Sequence, residues 1–270
     1  MVRMKKKLAR LLKLDRPGRD IRVRPHDRFL VSYPRSGNTW LRFLVANLVC
    51  NREVSFRTIE DIIPDIYQNR RRDLERRDSP RILKSHELYD SRYPRVVYLV
   101  RDPRGVCVSS FHYHRKNYWI PPDLDLHTFV DGFLTGALRG RYGSWAENVG
   151  SWLEAEENSE TFMVVRYEDL LADTQGNLVK IADFLDIEAD PASLTEAVNR
   201  SRANAMRQME TEQAREWTTT RKSDQAIPFI RQARDGSWRT ELLPVDEKRL
   251  YIAFRKWMDH FGYTTSSGPI

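Results

Sequence analysis

One segment of the sequence has the residue types of an anion-binding loop. Residues 33–40 (YPRSGNTW) follow an apolar run and precede a helical pattern, so the N–H groups that begin the helix can converge on a negative charge. Gly37 allows the backbone to approach closely, and Arg35 adds a fixed positive charge with several donors. Both the leading glycine and the lysine of the Walker pattern are missing. An anion site and an ordinary capped turn between strand and helix both fit these residues.

A second segment of this kind occupies residues 101–109 (RDPRGVCVS). Arg101 stands where a predicted strand ends, and Ser109 lies two helical turns further on. An arginine at a strand end can make a bidentate contact with a phosphate group. The alternative is a plain helix start, in which Asp102 and Pro103 cap the helix and the charged side chains face water.

A lysine and a histidine end a third apolar segment. Lys84 precedes His86 by two residues, so in an extended strand both side chains point to the same side. Histidine is the usual general base near neutral pH, and a cation beside it can stabilise charge on the same substrate. Of the six histidines, His86 alone ends a predicted core strand. A purely structural role is the alternative for His86 at this point.

The elements that must position these residues follow from the apolar pattern. Strands are predicted at residues 28–33, 81–86, 95–101 and 161–167, and helices near 39–50, 103–115, 127–139, 144–157, 174–186, 191–199, 202–214 and 245–261. Strands that alternate with helices predict a parallel, doubly wound sheet. Ligands bind such sheets beyond the carboxyl ends of the strands, where the three candidate segments lie.

The composition suits one large α/β domain. The chain has 270 residues, of which 40% are hydrophobic and 11% aromatic, which is enough for a sizeable core. Its net charge is +7, from 45 Lys and Arg against 38 Asp and Glu. A basic balance favours a polyanionic partner, and nucleic acid, an acidic membrane and a phosphorylated ligand all satisfy it.

Cysteine usage and the N-terminal residues bear on location. Cys50 and Cys107 form neither a disulfide framework nor a metal-ligand spacing, so both are predicted to be buried thiols and no metal is expected. No apolar run reaches the length of a membrane span. Residues 1–14 are basic with interspersed leucines, which favours a frayed or docked terminal helix, and weak peripheral membrane contact is the alternative. We expect a cytoplasmic protein.

Residues 33–40 resemble the 5′-phosphosulfate loop of the sulfotransferases that use 3′-phosphoadenosine 5′-phosphosulfate (PAPS), commonly written YPKSGTTW. Arg35 and Asn38 stand here where many members have Lys and Thr. Arg101, followed eight residues later by Ser109, is similar to the 3′-phosphate motif of that family. Two motifs therefore occur in the family's order and in the expected structural context.

Three further segments extend the resemblance to about residues 28–263. Residues 167–170 (YEDL) match a strand-ending motif whose tyrosine lies near the nucleotide. Residues 231–239 (RQARDGSWR) resemble RKGxxGDW, with Gln232 and Ala233 in place of Lys and Gly. Residues 84–86 (KSH) resemble the family's Lys-Thr-His pattern.

The resemblance implies an α/β fold: a single domain with a central parallel sheet, of the P-loop-kinase-like sulfotransferase type. The expected bounds are a basic lead-in at residues 1–27, a sulfotransferase domain at 28–263 and a C-terminal tail at 264–270. The expected reaction moves a sulfonate group from PAPS to a hydroxyl, or an amine, of a small-molecule or carbohydrate acceptor. The expected nucleotide product is adenosine 3′,5′-bisphosphate (PAP).

The resemblance also implies roles for matched residues. His86 would be the general base, while Arg35 and Lys84 would stabilise charge on the bridging and sulfonyl oxygens. Because arginine is too basic to donate a proton, the role of Arg35 is electrostatic only. The implied nucleotide contacts are Arg35, Ser36, Gly37, Asn38, Thr39, Trp40, Arg101, Ser109, Tyr167 and Arg231.

Residues 112–119 (HYHRKNYW) are rich in aromatic and histidine side chains. Aromatic walls with a few polar groups suit a pocket for a small acceptor. Packing at the end of a helix is the alternative for this stretch.

Two other functions share some of these features. A nucleotide kinase has a related fold but needs a Walker lysine, which residues 33–40 lack. A nucleic-acid-binding protein would account for the positive charge, but base-stacking and groove-reading motifs are missing, so no nucleic-acid partner is expected. Sulfonate transfer is therefore the predicted function.

Overall fold

Four short apolar segments form one parallel sheet at the centre of the computed structural model. The strands are β1 (Arg28–Ser32), β2 (Ile82–Ser85), β3 (Val96–Val100) and β4 (Phe162–Arg166), in the spatial order β2-β1-β3-β4. Each neighbouring pair is parallel, and Leu30 of β1 lies opposite Lys84 of β2 and Val97 of β3. The predicted α/β fold with a central parallel sheet is confirmed.

The structure describes residues 20–50, 53–138, 140–156 and 159–264. Most of the predicted lead-in, including the possible membrane contact of residues 1–14, lies outside the described residues. The same holds for the predicted tail beyond residue 264. No described helix has both the length and the apolar character needed to cross a membrane.

Helices cover both faces of the sheet. In chain order the described α-helices are α1 (Asn38–Cys50), α2 (Ile59–Ile62), α3 (Arg71–Glu75), α4 (Pro103–Lys116), α5 (Leu126–Leu134), α6 (Trp145–Glu156), α7 (Tyr167–Ala172), α8 (Thr174–Phe184), α9 (Pro191–Arg200), α10 (Ala203–Gln213) and α11 (Pro244–His260), with 3-10 turns at Gly140–Tyr142 and Ser237–Thr240. The prediction for α5 was too long, because Gly136 adopts a left-handed φ of 71° and stops the helix. Helix α7 was missed, because it is short and follows β4 without a break.

Alternation along the strands divides the core into two clusters. Phe29 and Val31 of β1 pack on one face of the sheet with the tryptophans of α6, whereas Leu30 packs on the other face with α1 and α9. Both faces are apolar, as expected for parallel strands covered by helices. The prediction that both cysteines are buried is correct for Cys107 and wrong for Cys50, which ends α1 and is partly exposed.

Candidate active site

A cavity of about 460 Å³ opens at the carboxyl ends of β1, β2 and β3. It joins the three segments that the sequence singled out. Of the predicted site residues, those on its wall are Arg35, Gly37, Asn38, Thr39, Trp40, Lys84, His86, Arg101, Ser109, Tyr167 and Arg231. Ser36 is fully buried and does not contribute to the wall.

The loop between β1 and α1 has the form of an anion cradle. Gly37 adopts a φ of 100°, which residues other than glycine rarely tolerate. A Cβ at this position would also lie only 2.7 Å from Cδ2 of Tyr167, so no larger residue fits without a shift. Asn38 fixes the loop to β1, since its Nδ2 donates to the Leu30 carbonyl and to Ser32 Oγ, each at 3.2 Å. The first turn of α1 contains no acidic residue, so its N-terminal partial charge is not neutralised locally.

Arg35 connects this loop to α4. Its Nε donates to Ser109 Oγ at 3.1 Å, and its Nη2 donates to the Phe229 carbonyl at 3.3 Å. The guanidinium lies over the rings of Tyr113 and Phe229, at 4.6 and 4.5 Å from their centroids. The two predicted anion segments are therefore in direct contact through Arg35 and Ser109.

Arg101 is held at the start of α4 by two close surfaces. Its guanidinium lies 4.2 Å from the ring centroid of Tyr167. Gly105 is also close, since a Cβ there would stand 3.2 Å from Arg101 Nε. Burial raises the pKa of the Tyr167 phenol above its usual value, although the Arg101 charge opposes this, so the ring is neutral. Tyr167 thus contacts both Gly37 and Arg101.

His86 has a defined tautomer. Its Nδ1 lies 2.6 Å from the carbonyl oxygen of Ser32, and a carbonyl can only accept, so Nδ1 carries the proton. The lone pair of the neutral ring is consequently on Nε2. The ring lies parallel to that of Tyr67, whose hydroxyl accepts from the His86 backbone N–H at 2.8 Å, and edge-on to Tyr142.

The other histidines lie elsewhere. All six belong to the described residues, and among them His86 alone is on the cavity wall. His112 contacts Glu241, His114 contacts a backbone carbonyl of its own helix, and His127 contacts Asp246. A purely structural role therefore suits His112, His114 and His127 better than it suits His86.

Lys84 forms a buried ion pair that the sequence did not predict. Its Nζ lies 2.7 Å from Asp65 Oδ2, and both side chains are almost fully enclosed. Burial lowers the pKa of Lys84, and the Asp65 charge partly offsets this. For Asp65, burial raises the carboxyl pKa, but Lys84 and Arg42 outweigh it and the net direction is downward. The cavity wall beside His86 therefore carries a cation whose position is fixed by Asp65.

Arg231 also has a carboxylate partner. Its Nη2 lies 2.7 Å from Glu241 Oε1, while Glu241 Oε2 lies 2.5 Å from Nε2 of His112. Burial raises the pKa of the Glu241 carboxyl. The hydrogen bonds from His112 and Arg231 lower it by more, so the pKa lies below its ordinary value.

Ala233 adopts a φ of 49°, which is in the left-handed region of the backbone. The family motif has glycine at this position.

The comparisons with known proteins agree with this geometry. A model of the sulfotransferase domain matches residues 25–262. The chain belongs to the sulfotransferase family. Sulfotransferase 2A6 of Rattus norvegicus is 32% identical over 198 residues, which cover 69% of this chain and 68% of the relative. Sulfotransferase 1E1 of Rattus norvegicus is 29% identical over 261 residues, covering 87% of this chain and 84% of the relative.

A solved structure gives the same result for the fold. The crystal structure of a mouse sulfotransferase complexed with PAP aligns with a TM-score of 0.71 and 25% identity, over 88% of this chain and 85% of that chain. The predicted sulfotransferase fold, and the prediction that the chain is an enzyme of this family, are confirmed.

Proposed function

We propose that the protein transfers a sulfonate group from PAPS to an acceptor hydroxyl, or to an amine, with His86 as the general base. The observation that carries the proposal is one cavity that joins the anion loop, the Arg101 segment and His86. The mouse relative whose structure contains PAP supports the choice of nucleotide.

The nucleotide end of the cavity fits a ligand with two separated anionic groups. The loop around Gly37 offers N–H groups at the positive end of α1. Arg101, Ser109 and Arg231 supply cationic and hydroxyl donors a short distance away on the same wall. Trp40 and Tyr167 meet edge-on with their centroids 5.7 Å apart, and they offer an aromatic surface for a base. PAPS, when bound, supplies the sulfonate and leaves as PAP.

The acceptor end provides proton removal and charge stabilisation. His86 Nε2 accepts the acceptor's proton while the acceptor oxygen forms its bond to sulfur and the sulfur–oxygen bond to the nucleotide phosphate breaks. Lys84, fixed by Asp65, stabilises the negative charge of the sulfonyl oxygens. Arg35 stabilises charge on the departing phosphate and does not donate a proton.

The sequence-based domain bounds of 28–263 belong to this proposal, and so does a cytoplasmic location. The family model matches nearly the same range of residues, which supports those bounds. Both cysteines are free thiols, which fits a reducing compartment.

A titration distinguishes the candidate functions. Purified protein is titrated by calorimetry with PAP, ATP and a single-stranded oligonucleotide, and labelled PAPS is then supplied with a panel of alcohols, phenols, amines and sugars. We expect PAP to bind most tightly and label to appear on at least one acceptor. Tighter binding of ATP would favour the kinase alternative, and salt-sensitive binding of the oligonucleotide without PAP binding would favour a nucleic-acid protein.

A further inference from the structure

A long segment without α-helix or strand forms part of the cavity wall. Between α10 and the 3-10 turn at Ser237–Thr240, the described residues 214–236 contain only turns and irregular backbone. Phe229 and Arg231 lie on this segment and on the wall of the cavity. Something must fix the segment, because irregular backbone has no hydrogen-bond ladder of its own.

Glu210 binds the segment at Phe229 and Ile230. It stands on α10 and is buried, with 7% of the residue's surface exposed. One carboxylate oxygen accepts from the Phe229 backbone N–H at 2.6 Å, and the other accepts from the Ile230 N–H at 2.9 Å. A carboxylate is suited to this task, since both of its oxygens accept.

Lys116 binds the neighbouring part of the segment, at Asp224 and Ile227. It is the last residue of α4, with 1% of its surface exposed. Its Nζ donates to the carbonyls of Asp224 and Ile227, at 2.9 and 2.6 Å, and lies 3.7 Å from Glu210 Oε1. Burial lowers the pKa of Lys116, and the Glu210 charge opposes that shift. The two side chains together bind four backbone groups of residues 224–230.

We propose that Lys116 and Glu210 are positioning residues that hold residues 224–230 across the nucleotide site. This inference rests on the proposed function. Lys116 lies two turns beyond Ser109 on α4, and Arg35 donates to the Phe229 carbonyl. Lys116 therefore connects residues 224–230, which lead to Arg231, to α4, the helix that carries Ser109. Glu210 connects the same residues to α10. Neither Lys116 nor Glu210 lines the cavity, so both act through the backbone that they hold.

The test compares Lys116→Met with the wild type. Methionine is similar in shape but cannot donate to the two carbonyls, so residues 224–227 lose the hydrogen bonds from the Lys116 side chain, while Glu210 still binds Phe229 and Ile230. We expect the affinity for PAP to fall roughly tenfold or more by calorimetry, as for loss of charge-assisted hydrogen bonds. The KM for PAPS should rise more than kcat falls. Arg57→Met is the matched control, since it removes an exposed ion pair to Glu216 on the same segment and should leave both values unchanged.

Trypsin gives a readout that does not require the nucleotide. The segment contains five basic residues after which trypsin cleaves: Arg215, Arg221, Lys222, Arg231 and Arg234. Lys116→Met should speed cleavage there, and PAP should slow it less than in the wild type. Glu210→Gln keeps one acceptor oxygen, so we expect a smaller loss of PAP affinity and a smaller increase in cleavage. This variant replaces Lys116→Met in the test if Lys116→Met does not fold.

Two outcomes distinguish a failure of this inference from a failure of the proposed function. Variants with wild-type PAP affinity and wild-type cleavage of the segment would overturn the positioning role. A wild-type protein that fails to bind PAP would overturn the proposed function. Faster tryptic cleavage of residues 214–236 in the variants would even then support the role of Lys116 and Glu210 in holding this segment.

Discussion

At the scale of single residues, the chemistry depends on which nitrogen of His86 carries the proton. The Ser32 carbonyl accepts from Nδ1 and so leaves the basic lone pair on Nε2. The Tyr67 ring lies parallel to the imidazole and the Tyr142 ring meets it edge-on, while the Tyr67 hydroxyl accepts from the His86 backbone N–H. A side chain fixed in this way needs little reorganisation to accept a proton.

We predict that His86→Asn nearly abolishes transfer to an alcohol while PAP binding stays intact. Removal of a general base costs about 10²–10⁴-fold in turnover. Turnover on an acidic phenol that is already ionised should fall much less, because this acceptor has no proton for the base to remove. Wild-type turnover on the alcohol should fall at acid pH, since the protonated ring has no lone pair.

Turnover profiles against pH for both acceptors check this prediction. His26→Asn is the control, because His26 is exposed and away from the cavity. If His86→Asn keeps more than about a tenth of the wild-type turnover on the alcohol, His86 is structural.

Arg101 is predicted to act on nucleotide affinity. Arg101→Ala removes a cation that lies close to Tyr167 and Gly105 on the cavity wall. A charged hydrogen bond contributes about 1.5–3 kcal/mol, so PAP affinity should fall roughly ten- to a hundredfold. Calorimetry measures the change, with Arg115→Ala as control, because Arg115 is exposed on α4, the helix that begins two residues after Arg101. Unchanged affinity in a folded variant would remove Arg101 from the phosphate site.

At the scale of elements, the loop between β1 and α1 depends on one glycine. Gly37→Ala places a Cβ 2.7 Å from the Tyr167 ring at a φ of 100°. Either the loop or Tyr167 must move, so we expect weaker PAP binding together with a loss of stability. Gly262→Ala is a matched control, because it has a φ of 69° but no atom within 4 Å of the added Cβ.

The two variants separate strain from steric contact. The left-handed backbone alone costs about 1–2 kcal/mol per residue, which both variants share. Only Gly37→Ala should also lower PAP affinity, as measured by calorimetry beside thermal unfolding. Equal effects of both variants on stability and on PAP affinity would show that the contact with Tyr167 is unimportant.

The sequence predicted those parts of the site that are local in the chain. Residues 33–40 and 101–109 each combine a strand end with a helix start, so their motifs could be recognised without the fold. Asp65 lies in a polar stretch with no periodicity, and only the pairing of its segment with β2 brings it to Lys84. The Lys116–Glu210 pair was missed for the same reason, since its partners are backbone groups about a hundred residues from Lys116.

At the scale of the whole molecule, Arg104 joins distant parts of the chain. Its Nε and Nη2 donate to Asp102, and its Nη1 donates to Glu247 of α11 at 2.9 Å and to the Thr264 carbonyl at 2.8 Å. Its guanidinium lies 4.0 Å from the ring centroid of Trp238. The alternative in which the charges of this segment face water is therefore wrong for Arg104, although Asp102 does cap α4.

We predict that Arg104→Met strongly destabilises the protein. The side chain is 2% exposed, and its loss leaves the enclosed Asp102 without a cation and frees the contacts to α11. Breaking a buried ion pair from one side costs about 3–5 kcal/mol, because the remaining charge is uncompensated. Arg255→Met removes an exposed pair with Asp259 on α11, and such pairs contribute at most about 1 kcal/mol. Urea denaturation compares the two variants, and a lower midpoint at an unchanged slope would show a true loss of stability. A loss for Arg104→Met no larger than that for Arg255→Met would mean that the contacts of Arg104 with Asp102 and Glu247 contribute little to stability.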